Sequence, residues 1–259
     1  MTNALIAAAH SMHNDLRYMD TISQNMVNMT TPGYKRSIPV TQAFGDVMYA
    51  AGGAATSGSS SIGTNHTGVN AFSGLTPVMS HTLDMSTGPV KQTGRPWDVA
   101  IVGDGYFEVA TSDGSAYTRA GDFHLDRSGR LVSVAGFAVQ GKSGDIVVNG
   151  NNAVIDHAGN VMQEGVSVGQ IKIVQFKDGN SLLKTPDGLL RPDSANGTVA
   201  TISEVPAELQ AGYLESSNVT PLREMISMME TTHHFEAAQK LFQGYDEMLR
   251  TAIQKLGEF

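Results

Sequence analysis

Large apolar residues recur every seven positions near the start of the chain, at Leu5, Met12, Met19 and Met26, and Ala8, Ile22 and Met29 follow three of them by three places. The spacing predicts an amphipathic helix with one narrow seam. Asn28 to Gly33 should end it near Met29 or Thr30, because Pro32 disfavours helical geometry at Thr31 and Gly33 tolerates positive φ. At the other end, Thr220 is placed to cap a second helix with Pro221 in its first turn. Phe235, Ala238, Phe242, Tyr245, Leu249, Ala252 and Leu256 then alternate spacings of three and four. Leu222, Met225, Met229 and Thr232 form a similar stripe upstream, out of phase with the first.

Between the helices the period changes. From about Met79 to Glu204 the chain reads as short β-type runs such as "WDVAIV", "YFEVA", "RLVSV" and "QIKIVQF". Asp104-Gly105, Asp113-Gly114, Asn149-Gly150, Asp178-Gly179, Asp187-Gly188 and Asn196-Gly197 punctuate them as tight-turn signals. The fold class expected is α+β: N- and C-terminal helices forming a coiled-coil-like pair, with a mainly antiparallel all-β domain inserted between them. The segments run 1–35 (helix and elbow), 36–78 (irregular, Gly- and Ser-rich), 79–211 (β domain) and 212–259 (C-terminal helix).

A single seam makes a marginal helix. Fixing 25 residues costs roughly 25–50 kcal/mol of backbone entropy, against about 1.5–3 kcal/mol for each large apolar side chain fully buried. The two seams can bury each other, cover a face of the β domain as ordinary core, or become ordered when several copies pack together.

Composition narrows the chemistry. Charged residues make up 16% of the chain, below the roughly 25% usual in soluble proteins, so much of the surface is Ser, Thr, Asn and Gly and suits burial against neighbours. The net charge of −8 comes without a Lys/Arg cluster, which argues against nucleic acid. Cysteine is absent, removing disulfides and thiolate metal sites. The opening residues make a poor secretory signal, and no stretch reaches the roughly 20 apolar residues of a membrane span.

Enzyme readings find little support. His10 and His13 lie three apart and His233 and His234 are adjacent, but no metal-binding motif accompanies them. Gly103-Asp104-Gly105 lacks the third glycine of a dinucleotide fingerprint. Asp104 and Asp122 could form an acid/base pair, although acidic residues in β turns mostly bind backbone. No catalytic, cofactor or metal residue is assigned. A β-domain binding module whose helices only dimerise it is the rival from another class.

Three ordered blocks carry a resemblance. "SQNMVNMTTPGYKR" keeps Asn25, Asn28, Thr31, Gly33, Tyr34 and Lys35 of the pattern Ala-Asn-Asn-Leu-Ala-Asn-x-x-Thr-x-Gly-Tyr-Lys, while Ser23, Gln24, Met26 and Val27 depart from it. Trp97 to Gly141 and "GYLESSNVTPLREM", Gly212 to Met225, match a β segment and the signature that opens a C-terminal helix. Together they resemble the bacterial flagellar axial proteins, the rod and hook group. The length suits the rod members, and the ending "AIQKLGEF" inclines the likeness to the proximal rather than the distal rod type.

The resemblance implies a structural subunit of the basal-body rod that transmits torque. Its helices would pack in the inner tube with the β domain outside. It also implies partners: further copies, other rod proteins, the hook protein and surrounding ring proteins. Export through the flagellar type III apparatus, without cleavage, to the periplasmic basal body would explain the missing signal. The assembly interface it implies runs along Leu5, Met12, Met19 and Met26, and through Asn25, Asn28, Thr31, Gly33, Tyr34 and Lys35 at the elbow. It continues in Leu214, Glu215, Asn218, Val219 and Met225, then Phe235, Phe242, Tyr245 and Leu249. By the local alternative, Asn25 and Asn28 only satisfy the helix end and Tyr34 packs beside its turn.

Overall fold

The computed structural model describes residues 2–41, 79–148, 150, 153–176, 182–185, 187–192, 202–204 and 208–257. The stretch 45–75 and the turn signals at Asn149, Asp178-Gly179 and Asn196-Gly197 lie outside the described residues. The chain divides into two compact units, one from Met1–Gln24, Ser37–Thr82 and Leu222–Phe259, the other from Asn25–Arg36 and Leu83–Pro221.

The first unit is built on helices. Helix α1 spans Thr2–Val27 and passes into a 3₁₀ turn at Asn28–Thr30, so helical geometry stops where Pro32 requires it to. Along α1, Ile22 is buried and Ala8, Met12 and Met19 are half-buried on the same face, at the predicted spacing. Helix α2 spans Pro221–Gly257, beginning at the proline expected in its first turn. The two helices meet at Asp15 and His234, whose Oδ2 and Nδ1 lie 2.7 Å apart.

Helix α2 buries one side and leaves an apolar strip exposed on the other. At about 100° per residue, Glu224, Thr231 and Ala238 share one face, and all three are buried. Half-buried Met228, Phe235 and Tyr245 flank them. Leu222, Met225, Ile226 and Met229 lie on the other side and are 48–68% exposed. The phase shift read from the sequence is therefore a change of face. Phe242, Leu249 and Ile253 continue the first face outward but are exposed.

The second unit is β, and every described strand pairing is antiparallel. Its largest sheet runs in the order Leu182–Lys184, Leu190–Pro192, Gly114–Thr118, Tyr106–Thr111, Ala138–Gly141, Leu131–Val132, His124–Leu125. Ile173–Phe176 joins it beside Tyr106–Thr111. The hairpin from Tyr106 to Thr118 turns at Asp113-Gly114, where Gly114 takes φ +119°. A second sheet of Ala153–Ile155, Asn160–Gln163 and Val166–Gln170 shows the period of two directly: Ala153 and Ile155 are buried, and Val154 between them is exposed.

Inward-facing residues of both sheets form one core containing Phe107, Val109, Leu131, Val139, Val161 and Ile171, all fully buried. The Phe107 and Phe123 rings meet edge to face at 5.0 Å. Two short ladders close the unit, Val99–Ile101 with Leu209–Ala211 and Val90–Gln92 with Tyr213–Glu215. Phe107→Ala is expected to cost the protein about 3–5 kcal/mol in urea unfolding. Val154→Ala, which removes an exposed side chain, should change it by less than about 0.5 kcal/mol.

Candidate functional site: a buried clasp at the helix elbow

The chain turns away from α1 through residues whose geometry permits few alternatives. Thr31 is extended (φ −76°, ψ 121°), as a residue before proline must be, and its N–H donates to the Asn28 carbonyl at 3.2 Å. Gly33 adopts φ +66°, and its N–H donates to the Glu215 carbonyl at 2.8 Å. A Cβ there would sit 2.3 Å from the Ala120 nitrogen, so both the dihedral and the close approach demand glycine. Tyr34 is buried and its hydroxyl donates to Asn25 Oδ1 at 3.2 Å. Above its ring, at 3.4 Å from the centroid, lies the Lys184 ammonium. Burial lowers the Lys184 pKa to about 8.

Immediately after Tyr34 comes the charge centre. Lys35 Nζ donates to Glu215 Oε1 at 2.8 Å and to the Ser86 carbonyl at 2.7 Å. The Gly88 N–H donates to the same Glu215 oxygen at 2.9 Å. The other carboxylate oxygen takes the Nε–H of Arg119, whose terminal nitrogens donate to the Gly103 and Gly105 carbonyls. Glu215 is 2% exposed, and Lys35 and Arg119 are 5% exposed. Asn218 completes the arrangement: its Oδ1 accepts from the Arg36 N–H at 2.7 Å, and its Nδ2 donates to the carbonyls of Asp84 at 2.9 Å and Ser86 at 3.1 Å.

Local structure sets each partner. Glu215 ends the strand Tyr213–Glu215, held in register opposite Val90, and Arg119 follows the strand Gly114–Thr118. Gly88 must lack a side chain, since a Cβ would fall 2.0 Å from the Ser216 carbonyl oxygen. Burial raises the Glu215 carboxyl, but the hydrogen bonds from Lys35 and Arg119 outweigh it and hold the group below its ordinary pKa. Lys35 is also lowered, because its burial outweighs the attraction of Glu215. Beside the clasp lies a cleft of about 210 Å³ lined by Lys35, Arg119, Tyr106, Phe176, Met85 and Asp104, among others.

The structure thus brings Asn25, Gly33, Tyr34, Lys35, Glu215 and Asn218 into one region of the second unit, with their polar atoms engaged inside the chain. Asn28 Oδ1 accepts from the Thr31 hydroxyl at 3.3 Å. Leu214 is half-buried and Val219 buried. The seam residues are elsewhere: Leu5, Met12 and Met19 on α1, and Met225, Phe235, Phe242, Tyr245 and Leu249 on α2, while Met26 is a half-buried residue of the second unit. Asp122 sits across an isolated bridge from Asp98. Sequence reading missed Arg119, Gly88 and Lys184. Arg119 had a signal, a lone cation between an apolar strand end and Ala120-Gly121, where an unpaired charge cannot be buried.

Removing the carboxylate alone should be the costly change. Glu215→Ala strands two buried cations and is expected to lose about 3–5 kcal/mol. The triple replacement Lys35→Met, Arg119→Met, Glu215→Leu is expected to lose less than Glu215→Ala, with urea unfolding as the measurement. The pH sign follows from the lowered carboxyl: the clasp's contribution is whole above the unfolded glutamate pKa of about 4.3 and is lost as pH falls through the lower folded value. Glu215→Gln should flatten that acid limb in a comparison of unfolding midpoints from pH 6 to pH 2.

The family model for the flagellar hook protein FlgE/F/G D1 domain matches residues 100–175. That for the flagellar basal body rod FlgEFG protein C-terminal region matches residues 210–255, which include Glu215 and most of α2. The chain is 31% identical to the flagellar basal-body rod protein FlgG of Bacillus subtilis over 98% of both chains. It is 31% identical to FlgG of Caulobacter vibrioides over 97% of this chain and 98% of that one. The rod protein FlgF of the same organism is 28% identical over 100% of this chain and 99% of its own. Full-length likeness at this level, together with the two matched regions, makes the chain a member of the flagellar basal-body rod protein family.

Proposed function

We propose that this rod subunit self-assembles through the outward faces of its terminal helices, while the clasp fixes the elbow from which α1 departs. The observation that carries the reading is the exposed apolar side of α2. Leu222, Met225, Ile226 and Met229 stay exposed opposite a face that the chain already buries. An apolar strip of this kind is stable in water when another surface covers it. Phe242 and Leu249, on the opposite face beyond Ala238, are exposed as well and add a second apolar surface. Met12, Met19 and Phe235 then belong to the seam between α1 and α2, a coiled-coil-like pair that Asp15 and His234 would hold in register. Leu5 and Tyr245 continue the two lines.

In this reading Lys35, Glu215 and Asn218 act within the chain, and the interface role falls to the helix residues. Packing between copies, and with other rod proteins and the hook protein, transmits torque along the axis. Ring proteins would meet the β surface, and the subunit would reach the periplasmic basal body through type III export. The domain scheme that fits has Asn25–Arg36 acting with the β region, with α1 and α2 as the assembly elements. The FlgG and FlgF names among the relatives leave the proximal and distal rod types undivided.

Sedimentation and circular dichroism across a concentration series test this. Helix content should rise as oligomers form, and Met225→Glu with Met229→Glu should keep the protein monomeric with an unchanged β-unit melting transition. Full helix content in a stable monomer at every concentration would contradict it. In cells, the same double variant should abolish motility.

A further inference from the structure

Asp98 is 2% exposed, and its Oδ2 is buried without a hydrogen-bond partner, a rare and costly state for a carboxylate oxygen. It precedes the wholly buried strand Val99–Ile101, and its backbone is engaged on both sides: its N–H donates to Arg95 and its carbonyl accepts from Gly212. Directly opposite, across an isolated antiparallel bridge, stands Asp122. Residues so paired project to the same side of the ladder with Cβ atoms about 4.5–5.5 Å apart, and like charges there repel. Gly121 keeps the two segments this close, since a Cβ on it would lie 1.7 Å from the Val99 carbonyl oxygen.

We infer that Asp98 and Asp122 form a proton-binding site, in which a protonated Asp122 carboxyl donates to the orphan oxygen of Asp98. One proton then removes both the repulsion and the unpartnered acceptor. Burial pushes the Asp122 carboxyl above its ordinary pKa, the Asp98 charge adds to this, and His124 acts in the opposite direction. Besides Asp98, the charged group bearing on Asp122 is His124, along the same segment. Among the described residues no group of three or more His, Cys, Asp or Glu is placed to hold a metal ion.

A carboxyl raised in the folded state contributes stability that is complete below its unfolded pKa and is lost as pH rises through the folded value. Between those two values each bound proton changes the folding constant by about tenfold per pH unit. The full-length protein therefore holds its β unit more firmly in mild acid through this site, in opposition to the Glu215 clasp. Asp122→Asn supplies a permanent amide donor to Asp98 and should raise the unfolding midpoint at pH 7.5 while abolishing the gain on moving toward pH 5. The Asp122 side-chain carbonyl carbon, followed by NMR in the wild type, should titrate well above the usual aspartate range and return toward it in Asp98→Asn. Titration of Asp122 at the ordinary value, or equal pH dependence in wild type and Asp122→Asn, overturns the inference. Stabilisation at pH 7.5 by calcium that Asp122→Asn removes would overturn it in favour of a cation.

Discussion

One carboxylate between two buried cations governs how this chain is organised. Glu215 draws Lys35 from the end of the elbow, Arg119 from the edge of the β core and the Gly88 amide to a single point. Ions so deeply buried are stable only when all are present with their hydrogen bonds made, since each desolvated charge alone costs several kcal/mol. The arrangement is therefore all or none. Residues from both ends of the sequence must arrive together, and Asn218 repeats the demand one step along by capping the Arg36 amide.

The consequence for the helices is a division of labour. The elbow is held by charge and hydrogen bonding within the β unit, whereas α1 buries a narrow apolar face and α2 a mixed one. Helix α2 buries Glu224, Thr231 and Ala238 but leaves Leu222, Met225 and Met229 in water. An exposed apolar side on a long helix is left unfavourably in water unless another surface covers it. Methionines suit such a surface because unbranched thioethers adapt to neighbours of differing shape.

Much of this was legible in the chain. Pro32 and Gly33 placed the end of α1, Pro221 placed the start of α2, and the Asp-Gly dipeptide at residue 113 placed the central hairpin. These are local signals, where one residue's dihedral limits decide. The clasp was legible only in part. Lys35, Glu215 and Asn218 stood out through the family resemblance, but the Lys35–Glu215 ion pair and the Asn218 hydrogen bonds to Arg36 and Asp84 are long-range contacts that no periodicity encodes. Arg119 and Gly88 are fixed by tertiary approach, and the burial of Asp98 opposite Asp122 is likewise set by a ladder register. On α2, periodicity found both stripes, but only the three-dimensional packing showed that they face opposite ways.

Native-state hydrogen exchange on the dilute, monomeric full-length protein tests the central claim most directly. If the clasp binds the elbow to the β unit before any assembly, the amides of Gly33, Arg36 and Gly88 exchange with the same opening free energy as those of the strand Tyr106–Thr111. The outer amides of α2 then exchange far faster. Rapid exchange at Gly33 and Arg36 beside a protected Tyr106–Thr111 would contradict the account, because the elbow would then be free of the β unit in the monomer.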